Sequence, residues 1–366
     1  MKYQLNNSTY APAHTRRAKF VPVVLGIVYF ARILLADGMA VSVTSASDSR
    51  QAIDDLLAGR FKWTISSPLV WPVNRPGDMT YSVKDPTVVR YKGRWHLFCT
   101  IRGLKRSHQI EYLSFKDFKD ANAAKRYVLK LSDGYFCAPQ VFYFTPHKKW
   151  YLIHQVIDKS RKPALQPAYS RTSDITAPDS WSKPTLLFSN QPDNIRMWID
   201  FWVICDATRA YLFFTSLDGR MWRSETKLAD FPSGWNRPDV VLRGDIFEAS
   251  HIYYLKGLDR FLTVIEAQSS GRRYYKAYVA ESLDGRWMPL AATKDKPFAS
   301  PANTRHTSMH WTDSFSHGEL IRDGFDQTLA VEPAGLRFLF QGVSDKDKRG
   351  KKYGQIPWRL GMLKPL

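Results

Sequence analysis

Five polar residues, Asp85, Gln140, Asp200, Glu248 and His317, each open a run of the same make-up: a polar residue, an apolar strand, a short polar turn and a second, aromatic-rich strand. The first copy is Lys84-Asp85-Pro86-Thr87-Val88-Val89-Arg90-Tyr91 followed by Trp95-His96-Leu97-Phe98. It returns around Gln140-Val141-Phe142-Tyr143-Phe144, Asp200-Phe201-Trp202-Val203-Ile204 and Glu248 to Tyr254, and more loosely from His317. If those leading positions share one pocket, three carboxylates and a histidine meet there. Like charges held close push their protonation equilibria apart, so that one group keeps a proton while another stays ionised. Hydrolysis of a glycosidic bond needs that division. An acid protonates the leaving oxygen, a base activates water, and a third carboxylate can orient and tune the acid.

The elements that must bring these residues together follow from their spacing. Positions 85, 140, 200, 248 and 317 are separated by 55, 60, 48 and 69 residues. A period near 50 with several short strands per unit is the mark of propeller blades. Five units fit between about 65 and 366, which predicts an all-β, five-bladed β-propeller. The first strand of each blade lines the central channel, so its opening residue faces the axis at one mouth. Helical patterning is confined to Gln51 to Leu57, with Ser49 as N-cap and Gly59 as stop.

Ahead of the repeats, residues 1–19 carry Lys2, Arg16, Arg17 and Lys19 without an acidic group, and the apolar run Phe20 to Ala31 follows. A basic segment before about a dozen apolar residues reads as an export signal. The expected organisation is therefore a leader over 1–46, a linker over 47–64 and the propeller over 65–366, in a secreted monomer with no membrane association once the leader is removed. The chain has 53 Lys and Arg against 34 Asp and Glu, a formal +19, but the basic residues are scattered apart from short clusters such as Lys346 to Lys352. Without a recognition motif the charge does not argue for nucleic acid. Three cysteines, Cys99, Cys137 and Cys205, are too few for a disulfide framework and match no zinc spacing.

The segments Lys84-Asp85-Pro86, Ala138 to Phe144, Trp198 to Asp206, Phe247-Glu248-Ala249 and Ser316 to Gly324, with a C-terminal Tyr353-Gly354-Gln355-Ile356-Pro357-Trp358, resemble glycoside hydrolase family 62 over roughly residues 62 to 366. That family comprises secreted α-L-arabinofuranosidases related to family 43, built as five-bladed propellers, which remove arabinofuranose side chains from xylan with inversion. The resemblance implies that Asp85 is the general base, Asp200 the pKa modulator and Glu248 the general acid. It further implies that Lys84 neighbours the base, that Gln140 helps to line the arabinose subsite, and that His317 lies beneath it near a structural calcium ion. Tyr353 would offer an aromatic surface to an arabinose-decorated polysaccharide. Lys84 and Asp85 are adjacent in a strand, so both reach one pocket only if the strand is twisted or bulged there.

Two other readings fit the same repeats. A propeller can bind glycans without hydrolysing them, although a binder has no need of a paired acid and base. A related propeller glycosidase, such as a β-xylosidase, would use the same carboxylates.

Overall fold

Short aromatic and β-branched runs punctuated by turn residues form five antiparallel sheets in the computed structural model, which describes residues 46–366. The leader expected over 1–46 falls almost wholly outside the described residues. Blade one comprises Thr80–Tyr91, Arg94–Gly103, Gln109–Phe115 and Arg126–Val128. Blade two comprises Phe136–Phe144, Lys149–Ile157, Leu165–Thr172 and Thr185–Leu186, and blade three Ile199–Cys205, Arg209–Thr215, Arg220–Lys227 and Asp239–Arg243. Blade four runs outward from His251–Leu255 through Arg260–Ser269 and Arg272–Ala280 to Met288–Ala291. Blade five starts at Ser314–Leu320, continues through Phe338–Val343 and Arg359–Pro365, and ends in Trp63–Ile65 and Thr304–His306. The five blades make a β-propeller.

Blade five explains how the ring closes. Trp63–Ile65, from the start of the described chain, pairs antiparallel with the C-terminal strand Arg359–Pro365. Strands far apart in sequence thus complete one sheet, and no open sheet edge is left between the ends. The stretch expected as a linker, 47–64, holds most of a helix, Ala46–Leu57, and the beginning of this closing strand. The helix is longer than its apolar pattern suggested. Gly59 lies just past its end with φ of +64°, and a Cβ there would run into the carbonyl of Leu290, so only glycine suits the turn.

The interior is filled by large aromatics, among them Trp150, Trp198, Trp202, Tyr151, Tyr253 and Tyr275, all below 2% exposed. Each such side chain removes some 150–250 Å² from water, about 4–6 kcal/mol at 25 cal/mol/Å². Polar clamps then fix neighbouring blades. Trp202 Nε1 donates to Ile252 O at 2.9 Å, and Val141 N–H donates to Thr87 Oγ1 at 3.1 Å. Between the first and last blades, Val88 N–H donates to Glu319 Oε2 at 3.3 Å while Arg322 Nη2 donates to Val88 O at 3.1 Å.

Each channel-lining segment also carries one non-glycine residue in the left-handed region. These are Asp85 (φ 48°), Ala138 (51°), Asp200 (60°), Ala249 (55°) and His317 (23°). The strand register slips at Lys84/Thr87, Cys137/Gln140, Ile199/Trp202 and Ser316/Gly318, the signature of β-bulges. The bulges correct the sequence alignment at two places. The counterpart of Asp85 in blade two is Ala138, two residues before Gln140, and in blade four it is Ala249, one after Glu248.

Candidate active site

A bulge breaks the alternation of side chains, and that is why Lys84 and Asp85 both reach the channel mouth, 8% and 6% exposed. Left-handed backbone costs a non-glycine residue of order 1–3 kcal/mol, so the surroundings must hold it. Here the amide of each bulge residue is caught by a side chain of the preceding blade. Asp85 N–H donates to Gln341 Oε1 at 2.7 Å, Ala138 N–H to Thr100 Oγ1 at 2.8 Å, Asp200 N–H to Gln155 Oε1 at 3.3 Å, and His317 N–H to Glu266 Oε2 at 2.9 Å. Ala249 N–H donates to Asp200 Oδ2 at 3.2 Å. The strained ring is therefore pinned by buried hydrogen bonds.

The structure brings Asp85, Asp200, Glu248 and His317 to one place. His317 Nδ1 lies 3.5 Å from Asp85 Oδ1 and 3.7 Å from Asp200 Oδ2. Ligand atoms of Asp200, Glu248 and His317 all fall within 4.8 Å of one another. Tyr353 is 52% exposed, with its ring centroid 5.1 Å from Lys84 Nζ and 5.8 Å from the Arg273 guanidinium. The basic loop Lys346 to Lys352 leads into Tyr353. It is tied down by Arg272 to Asp345 at 2.5 Å and by Lys348 Nζ donating to Gly271 O at 2.8 Å.

Gln140 stands apart from this cluster. It is fully buried, and both ends of its amide bond the Val203 backbone at 2.7 Å. The two-residue shift of the bulge turns it into a clamp between blades two and three.

The carboxylates occupy different electrostatic settings. Burial opposes ionisation of Asp85, but Lys84 beside it, together with a hydrogen bond from Thr100, outweighs burial and holds its carboxyl below the ordinary range. Asp200 moves the other way. Burial, then the charges of Glu248, Asp85 and Glu266, push it well above the usual value. Burial also lowers His317, which favours neutral imidazole. Asp85 is thus set to stay ionised, as a base must be, while its neighbour Asp200 keeps a proton.

Sequence reasoning missed the partners of Glu248. Arg273, on the third strand of blade four, places Nη1 against Glu248 Oε1 and 2.8 Å from Glu266 Oε1. Its guanidinium lies 4.9 Å from the Phe247 ring centroid and 5.9 Å from that of Trp358. Glu266 was visible in principle, as a charge closing the apolar run Phe261 to Ile265, because a lone carboxylate in a central strand is rarely buried without a partner. Arg273 has no counterpart signal in the repeat.

A calcium ion can be tested against the donors present. His317 Nδ1 and Asp200 Oδ2 are 3.7 Å apart, a span that two ligands of one ion with bonds of about 2.3–2.6 Å can adopt. Glu248 is already engaged by Arg273. The residues therefore fit a calcium ion held by His317 and by Asp200 in its ionised form, whose proton binding would release, with water completing the shell.

Against known proteins, the glycosyl hydrolase family 62 model matches residues 62–364. The chain is 40% identical over 315 residues to the α-L-arabinofuranosidase C of Cellvibrio japonicus, covering 84% of this chain and 48% of that relative, so it spans about half of the relative's length. Among solved structures, the catalytic domain of a Coprinopsis cinerea family 62 α-L-arabinofuranosidase matches with a TM-score of 0.79 at 37% identity, covering 84% of this chain and 98% of that one. A Podospora anserina α-L-arabinofuranosidase in complex with cellotriose matches with a TM-score of 0.78 at 35% identity, covering 84% and 98%. The chain belongs to glycosyl hydrolase family 62.

Proposed function

We propose that this protein is a secreted, monomeric α-L-arabinofuranosidase that releases arabinofuranose side chains from arabinoxylan or a related polysaccharide with inversion. The observation that carries this reading is the convergence of Asp85, Asp200 and Glu248 at one channel mouth, beside Lys84, Arg273 and the exposed ring of Tyr353. Asp85 acts as general base. Held ionised by Lys84, it accepts a proton from the water that attacks the anomeric carbon. Glu248 acts as general acid and protonates the departing polysaccharide oxygen. Inversion requires the two carboxyl groups to stand roughly 6.5–9.5 Å apart, with the water between base and sugar.

Asp200 orients the acid, and burial with the neighbouring negative charges holds its own carboxyl well above the ordinary range. Lys84 and Tyr353 contact the sugar, and Arg273 sets the direction of the Glu248 carboxyl. A calcium ion at His317 and Asp200 would supply positive charge beneath the sugar and stabilise the mouth. The kinship with characterised α-L-arabinofuranosidases supports arabinofuranose over xylose as the released unit.

Incubation with arabinoxylan, arabinan and arabinogalactan, with free pentoses resolved by chromatography and the first-formed anomer read by proton NMR, tests the proposal. Arabinose released from arabinoxylan as the β-anomer is expected. Release of xylose alone, binding without release, or an initial α-anomer would each overturn it.

A further inference from the structure

The acid and base stand on blades four and one, with blade five between them, and a continuous chain of buried and part-buried hydrogen bonds runs through blade five from one to the other. Asp85 N–H donates to Gln341 Oε1 at 2.7 Å, and Gln341 Nε2 donates to Ser316 Oγ at 2.9 Å. Ser316 Oγ donates to Glu266 Oε2 at 2.8 Å, and Arg273 Nη1 bridges Glu266 Oε1, Ser316 Oγ at 3.0 Å and Glu248. Gln341 is 1% exposed, and Ser316 and Glu266 are fully buried.

The direction of each bond at Ser316 and Gln341 follows from the donors present. A serine hydroxyl offers one donor and two acceptor sites. Ser316 uses its donor on Glu266 and accepts from Gln341 and Arg273. That fixes the Gln341 amide with nitrogen toward Ser316, so that its oxygen meets the Asp85 N–H. Water cannot replace these bonds where the side chains are buried, so loss of one leaves its partners unpaired.

We propose that Gln341 and Ser316 are positioning residues which, without touching the sugar, set the spacing between the base Asp85 and the acid Glu248. The proposal rests on those two roles as given above. Spacing matters because about 6.5–9.5 Å between carboxyl groups admits the attacking water whereas about 5–5.5 Å does not. A misplacement of about 1 Å can lower turnover on the order of 100-fold.

The test is a double-mutant cycle of Gln341→Met and Ser316→Ala, with kcat and KM measured on an aryl arabinofuranoside and on arabinoxylan, and folding followed by circular dichroism. Each single substitution should lower kcat roughly 10–100-fold while KM stays within about threefold, and the double variant should fall no further than the worse single, because both cut the same link. A kcat within twofold of the parent in either single variant, or losses that multiply in the double, would overturn the proposal. Should Gln341→Met fail to fold, the smaller Ser316→Ala change decides alone by the same kcat criterion. Asp85→Asn and Glu248→Gln are measured beside them. Full activity in Asp85→Asn would instead remove the base assignment, whereas an inactive Asp85→Asn with normal Gln341 and Ser316 variants would refute the positioning role only.

Discussion

Replacing Arg322 by Met should unlock the ring at its seam, and should do so in a pH-dependent way. Arg322 Nε lies 2.5 Å from Glu319 Oε1, with the two side chains 1% and 0% exposed, and both also bond Val88 across the junction of the last and first blades. At an effective dielectric constant of about 20 the attraction at that distance is of order 6–7 kcal/mol before desolvation is subtracted, and removing one partner of a buried pair typically costs about 3–5 kcal/mol. Burial pushes the Glu319 carboxyl up to about 7 even though Arg322 draws it down. A carboxyl whose folded value exceeds its unfolded one stabilises the fold while protonated, so this contribution is full below about pH 4.5 and is lost as pH rises through about 7. In Arg322→Met the Glu319 carboxyl, without its counter-charge, keeps at pH 8 the proton that the parent has released, whereas at pH 5 it is neutral in both proteins. Urea denaturation should therefore show a loss of about 3–5 kcal/mol at pH 8 that is smaller at pH 5 by about 1.4 kcal/mol, the linkage of one proton over the pH unit above 7. Equal losses at both pH values, or a loss below about 1 kcal/mol at pH 8, would refute the reasoning.

Further outcomes follow from the site and its supports. Glu248→Gln should impair arabinoxylan hydrolysis far more than hydrolysis of activated aryl arabinosides, while Asp85→Asn should lose roughly 100-fold or more on both, because water must be activated whatever departs; steady-state kinetics on the two substrates separates the cases. Gln140→Met leaves the buried Val203 N–H and C=O without their 2.7 Å partners, so unfolding free energy should fall by about 2–4 kcal/mol, with kcat per folded molecule reduced far less than in Asp85→Asn; a loss of kcat of the same size as in Asp85→Asn would return Gln140 to the sugar pocket. If calcium is held at His317 and Asp200, dialysis against a chelator should lower the melting temperature and added calcium should restore it; an unchanged melting curve would leave His317 as a buried channel histidine.

The fold was legible because its signal is repeated. One strand pattern can be misread, but five copies of a polar residue followed by an apolar run make the same statement about the channel. The convergence of Asp85, Asp200, Glu248 and His317 was legible to the same degree, since each stands at or beside the start of a copy. The register was read less well. A polar residue was sought at position 140, but the structural signal is the dipeptide ending in proline: Asp85-Pro86 aligns with Ala138-Pro139, and in each the proline falls in a bulge, where a missing N–H removes no ladder hydrogen bond. Aligning on proline would have placed Ala138 in the ring and freed Gln140 for its clamp.

Arg273, Gln341 and Ser316 were illegible for a different reason. Their importance depends on which side chains meet across three blades, and neither periodicity nor composition reports that. Polarity at one register was nevertheless on view. Thr100, Gln155, Thr215, Glu266 and Gln341 occupy matching places on the second strands, each a polar residue within an otherwise apolar sheet, and four of them catch the amide of a left-handed residue in the next blade. The exception is Thr215. The amide it would have met, that of Ala249, goes to Asp200 instead. Asp200 thereby takes over a structural duty beside the acid, and that substitution ties the backbone carrying Glu248 directly to the carboxylate proposed to orient it.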